Sequence, residues 1–134
     1  MAFKHGKDTV VKVATKDLSG YTDSSELNQS ADGHDTTTYG NQAHRKGGGL
    51  LDGTFKMSGT YDSTAVTGPR AALQPLLGTV VAIIRQPEGT GSAKPQDAFS
   101  ALLTGYVETN AVADMIKWSA EFEIDGVVNS AAQA

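Results

Sequence analysis

The sequence predicts a mainly β protein, a sandwich or barrel of about six to eight strands with one short flanking helix. Three observations lead to that class. Two segments alternate strictly between apolar and polar residues, turn-forming residues punctuate the chain densely, and a single segment has the composition of a helix.

The longer alternation is MIKWSAEFEID (115–125), where Ile116, Trp118, Ala120, Phe122 and Ile124 interleave with Lys117, Ser119, Glu121, Glu123 and Asp125. A period of two sends the two sets to opposite faces of a strand, one into a core and one toward water or another subunit. TFKMSGTY (54–61) repeats the pattern, with Phe55, Met57, Gly59 and Tyr61 on one face and Thr54, Lys56, Ser58 and Thr60 on the other. Further strands are expected over 9–15, 24–30, 79–86 and 98–109. The run Val80 to Ile84 is continuously apolar, as suits a strand covered on both faces.

Between these segments stand LSGYTD, DGHD, GGG, TGP, PEGTGSAKP and ETNAVAD, all rich in turn residues. The expected helix is GPRAALQPLLG (68–78): Pro69 suits a first turn, where its missing N–H costs nothing, and Gly78 suits a left-handed exit. Pro75 should shorten or distort it, and Leu73, Leu76 and Leu77 should cap the core. Residues 87–98 read as a mobile loop or hairpin tip, and 129–134 as a tail that frays.

At 134 residues the chain reads as a single domain, 1–134. A net charge of −4 with scattered basic residues argues against a protein that grips nucleic acid, because neutralising phosphates takes clustered Lys and Arg. There is no cysteine, so neither disulfides nor a thiolate metal site enter, and no apolar run approaches the ~18 residues of a membrane span. The expectation is a soluble, unprocessed chain without membrane insertion.

The stretch ADGHDTTTYGNQAHRKGGGLLDG (31–53) is where chemistry would be sought first. A Ser-His-Asp arrangement can be drawn from His5, His34 or His44 with Asp35, but no GxSxG elbow accompanies it and all three histidines lie in polar stretches. A metal on His34, Asp35 and His44 would need two histidines ten positions apart to converge without a helical or hairpin spacing. RKGGGLLDG (45–53) resembles an anion nest, yet no lysine follows its glycines and a strand stands where a phosphate loop has a helix. Solvated loop residues and a hinge account for these features better, so no catalytic residue, metal or cofactor is expected.

Three phrases change the reading when taken together: DLSGY (17–21), SADGHDTTTYG (30–40) and LLDGTFKMSGTYD (50–62). In this order and at these separations, across residues 5–128, the chain resembles the major tail protein, or tail tube protein, of long non-contractile-tailed bacteriophages. The resemblance implies a non-enzymatic virion protein whose six-membered rings stack into a hollow tube. Double-stranded DNA passes through it into the host without specific binding. It also implies partners beyond copies of itself, namely the tape measure, tail terminator and distal tail proteins, with assembly in the host cytoplasm and a final place in the virion tail. Some relatives carry an extra C-terminal immunoglobulin-like domain, which is not expected here.

On that reading segment 34–49 is a flexible assembly arm. Asp35, Thr36, Thr37, Thr38, Tyr39 and Gly40 shape its turn, Asn41, His44, Arg45 and Lys46 present inter-subunit or inter-ring contacts, and Gly47 to Gly49 hinge it into the next strand. Glu121, Glu123 and Asp125 share a strand face that would line the lumen or an inter-subunit surface, the alternative being an outward solvated face. Competing assignments are a tail terminator or head-tail joining subunit, a secreted hexameric tube protein, and a soluble β-barrel that binds a small ligand.

Overall fold

The computed structural model of the chain describes residues 4–63 and 68–133. Seven strands follow in sequence: β1 (Val10–Val13), β2 (Lys16–Asp17), β3 (Thr22–Asp35), β4 (Lys46–Thr60), β5 (Val80–Gln86), β6 (Pro95–Thr109) and β7 (Lys117–Ala132). All pair antiparallel in one sheet of order β2-β1-β5-β6-β7-β4-β3, with one short helix, α1 (Pro69–Leu73), between β4 and β5.

The sheet cannot be flat. Its edge strands β2 and β3 are six strand spacings apart, about 29 Å if flat. The chain from Asp17 to Thr22 spans at most about 17 Å. The sheet therefore rolls into an open barrel, and the link, a 3-10 turn at Ser19–Tyr21, crosses its mouth. The concave side holds the core: Val11 and Val13 from β1, Phe55 and Met57 from β4, Val81 and Ile83 from β5, Phe99, Ala101 and Leu103 from β6, Trp118, Ala120 and Phe122 from β7. Leu18 closes it from the link, where Tyr21 O accepts a hydrogen bond from Trp118 Nε1 at 3.2 Å. Gly59 makes that closure feasible, since a Cβ there would lie 1.8 Å from Tyr21 O.

The alternation in 115–125 survives with one change at each end: Trp118, Ala120 and Phe122 are buried, Ile124 packs against the core edge, and Ile116 lies outside β7 and exposed. Strand β5 alternates although its sequence does not. Val81 and Ile83 are buried while Val80 is 53% exposed, so the double cover expected for Val80 to Ile84 is absent in the monomer. Only the concave face of the rolled sheet has anything to pack on.

The expected helix is present but short. After Leu73 it tightens into a 3-10 turn over Gln74–Leu76, which contains Pro75, and leaves through Gly78 at φ +83. Leu73 is buried and Leu76 packs on the core, but Leu77 points outward, contrary to its expected capping role.

The larger departures are in length. Strand β7 continues to Ala132, and Pro95 to Ala98 pair with Ala132 to Asn129, so residues 129–132 do not form the frayed tail expected of them. Gln133 then acts as a hub: its N–H donates to Lys94 O, its carbonyl accepts from Ala93 N (both 2.9 Å), and its amide reaches Gly89 O (2.8 Å), Gly91 N (3.1 Å) and Gln86 Nε2 (3.4 Å). The same bonds tie down much of the 87–98 segment, whose last residues belong to β6. Of the tail, Ala134 lies outside the described residues.

Candidate assembly surfaces

The arm is a two-stranded hairpin rather than a loop. Asp35 pairs with Lys46, His34 with Gly47 and Gly33 with Gly48, which leaves residues 36–45 as the tip. Gly47 to Gly49 are therefore strand residues and not a hinge. Gly49 answers a packing need instead, because a Cβ there would fall 2.5 Å from His34 Nε2 and 2.9 Å from Asp32 Cβ.

The tip is held by its own polar residues. Asp35 Oδ1 accepts from Thr37 N (2.9 Å), Thr37 Oγ1 accepts from Arg45 N (2.8 Å), and Thr36 N donates to Arg45 O (2.8 Å). Asn41 Nδ2 donates to Thr38 O and Thr38 Oγ1, both at 3.1 Å, and Gly40 takes the turn at φ +91. His44 Nδ1 lies 3.5 Å from Asp35 Oδ2. The hydroxyl and then the backbone N–H of Thr37 hold the Asp35 carboxyl below its ordinary value, with a smaller contribution from His44. Tyr39 projects from the tip wholly in solvent, at 108% relative exposure.

Glu121, Glu123 and Asp125 lie on the convex face of β7, all exposed. Lys56 stands opposite Glu121, its Nζ 4.0 Å from Oε1, while Thr54 and Leu102 flank Glu123 and Ser100 faces Asp125. Glu26, opposite Lys56 on β3, continues the polar face. The three carboxylates thus share one face, with Glu121 and Glu123 beside Lys56 and Thr54 near the middle of β4, apart from the tip residues, which lie beyond its Lys46 end.

The metal and catalytic arrangements do not form. His34 packs at Gly49, His44 turns to Asp35, and His5 Nδ1 accepts from Lys7 N, so the three histidines go to separate places. Among the described residues no three His, Cys, Asp or Glu side chains gather to hold a metal, and no helix is long and apolar enough to cross a membrane. A groove of about 640 Å³ at the barrel mouth is lined by Ser19, Asp23, Ser24, Ser25, Lys7 and Arg85. Arg85 is already bridged to Asp97 at 3.0 Å, and this hydroxyl-lined surface differs from the apolar pockets that hold small molecules.

Two exposed apolar regions were not legible as sites in the sequence. Strands β4 and β7 pair only over 54–60 and 117–123, then part. The fork between them is lined by Leu51, Ile124, Val127 and Val128. At the opposite end, the β6–β7 turn exposes Val112 (108%) and Met115 (67%). These side chains stand singly or in short apolar runs in separate parts of the sequence, so only their position in the fold brings Leu51 beside Val127 and Val128.

No protein-family model and no curated protein sequence matches the chain. Solved structures do. A chain from the virion of a native gene transfer agent particle superposes with TM-score 0.75 at 14% identity, covering 97% of this chain and 100% of that one. One from the tail of an empty particle of that kind, refined helically with C6 symmetry, gives 0.74 at 16% identity, covering 98% and 100%. The SPP1 tail tube gives 0.68 at 9% identity, covering 98% of this chain and 80% of that one. This protein has the tail-tube fold. The sheath-tube complex of an extracellular contractile injection system also matches, at TM-score 0.68 and 13% identity over 98% of this chain and 93% of that one. For a tail-tube fold, sheet edges and convex faces left open in the monomer are the surfaces on which to look for function.

Proposed function

We propose that this chain is a tail tube subunit that assembles into stacked six-membered rings, forming a conduit for double-stranded DNA. The observation that carries the reading is the match over at least 97% of the chain to chains from a gene transfer agent virion, a gene transfer agent tail with C6 symmetry and a tail tube. The monomer supports it independently: unpaired strand edges along the fork, an exposed apolar turn and a solvent-exposed Tyr39 are features that a lone globular protein hides and a polymer uses. The protein does no chemistry in this role. Its partners are copies of itself along the tube and, at the ends and interior, terminator, distal tail and tape measure proteins. It is made in the host cytoplasm and ends in the virion tail.

Glu121, Glu123 and Asp125 line the lumen in this reading, and their charge keeps the duplex from adhering to the wall. Electron microscopy of the purified protein tests the function. Hollow tubes support it, isolated rings point to a terminator or a secreted ring, and monomers whose melting shifts with a small ligand point to a binding module. Reversing both glutamates, Glu121→Lys with Glu123→Lys, should slow DNA ejection from otherwise normal tails. Ejection at the normal rate would remove the lumen assignment while leaving the tube intact.

A second reading follows from the injection-system tube: the same subunit architecture can serve a conduit for another cargo. Tubes recovered from particles that contain no DNA would favour it.

A further inference from the structure

The two ends of β4 carry features that fit one another but cannot meet within one molecule. Strand β4 begins at the arm tip with Lys46 and ends at Thr60, 15 residues or roughly 45 Å away. Next to Thr60 lies the β6–β7 turn, fixed there by the pairing of Lys117 with both Thr60 and Thr109 and by a 2.9 Å bond from Tyr61 N to Ile116 O. We infer that the arm tip of one copy, led by Tyr39, seats on the β6–β7 turn of a second copy, against Val112, Met115 and Ile116. This rests on the tube reading and adds the receptor for the arm.

Three observations point to that occupant. The turn presents a cluster of exposed apolar side chains that no described residue covers, and the tip presents one large exposed aromatic. An aromatic with a polar end is the side chain best suited to anchor in such a patch. The charges also match. Residues 36–46 hold Arg45, Lys46 and His44 and no carboxylate, whereas 107–116 hold no Lys or Arg and offer Asp114, the other acid there, Glu108, being bridged to Arg70 at 3.5 Å. Asp35, the acid bordering the tip, is occupied by Thr37 and His44. Finally, the arm has the reach. Residues 46–53 of β4 extend past the last pairing with β7, an overhang of about 25 Å, and β3 stiffens it along its length. A contact between different patches at opposite ends is heterologous, and repetition of it propagates along an axis rather than closing a dimer.

The chain has no cysteine, so introduced thiols report without background. Tyr39→Cys and Met115→Cys proteins, one carrying a size tag, are mixed, allowed to form tubes and oxidised. A disulfide dimer of mixed composition, at least tenfold above the homodimers that either variant gives alone, is expected. Tubes without that mixed dimer would overturn the contact and leave the tube reading standing. A wild-type protein that forms no tubes would remove both. If a cysteine variant does not assemble, the charges are tested in its place. Arg45→Glu and Asp114→Lys should each slow tube growth about tenfold, and the two together in one chain should return it to within threefold of wild type. No recovery would count against the contact.

Discussion

Replacing Gly59 by alanine should unroll part of the barrel, and the size of the effect follows from one distance. The new Cβ would sit 1.8 Å from Tyr21 O and 2.8 Å from Thr22 Cα, both backbone atoms, and must retreat to at least 3.0 Å. The 19–21 link that crosses the barrel mouth has to move by more than an ångström. Over-packing of this kind costs about 1–3 kcal/mol. The same shift pulls Tyr21 O from Trp118 Nε1, now at 3.2 Å, at a cost of about 1 kcal/mol. For a chain of this length a total of about 3 kcal/mol lowers the melting temperature by roughly 10 °C. Gly105→Ala is the control, because a Cβ there meets nothing within 4 Å. Differential scanning calorimetry of the two variants decides the matter. A Gly59→Ala melt within about 2 °C of wild type, or an equal loss in both variants, would refute the view that the link's approach to β4 closes the fold.

Three further outcomes are expected. Gln133→Ala should raise amide exchange at Gly91 well above wild type while leaving β4 and β7 protected, as followed by NMR, because the side-chain amide bonds the 89–91 turn and not the core, and Ala93 keeps its bond to the backbone carbonyl of residue 133. For Asp35 the carboxyl is depressed in the folded state, so its contribution to tip order is present above the ordinary carboxylate range and is lost as pH falls through the folded value. The Thr37 amide resonance should move in that acid window, and not in Asp35→Asn. Burial, and after it Glu108, raises the Tyr106 phenol to about 12, so its neutral form is favoured by folding and the associated stability is lost as pH rises from about 10 toward that value. Ultraviolet titration should show one of the four tyrosines ionising near 12 in the native protein.

Much of the fold was legible where one face of a strand is buried. In 54–61 and 117–123 the core demands apolar residues at every second position, so Phe55, Met57, Trp118, Ala120 and Phe122 announce themselves. Beyond those spans burial fades: Gly53 is the last buried position of β4, Leu27, Ile124 and Val128 are only partly buried against the core, and most other residues of β3, β4 and β7 are exposed. Gly47 to Gly49 and Asn129 to Ala132 are strand only because a partner supplies hydrogen bonds, a fact their side chains do not encode. The continuous run Val80 to Ile84 misled in the opposite sense, its composition pointing to two covered faces where the isolated subunit covers one.

The candidate surfaces divide in the same way. The grouping of Glu121, Glu123 and Asp125 follows from the period of a strand and needs no tertiary information. Only the folded chain places Tyr39 at one end of β4 and Val112 with Met115 at the other, because that separation depends on pairing between strands distant in sequence. Local alternation is set by whether a residue faces water or core, which each residue states for itself. Strand length, sheet curl and the relation of the two ends are set by backbone hydrogen bonds that every residue type can make, and so they are decided only when the strands meet.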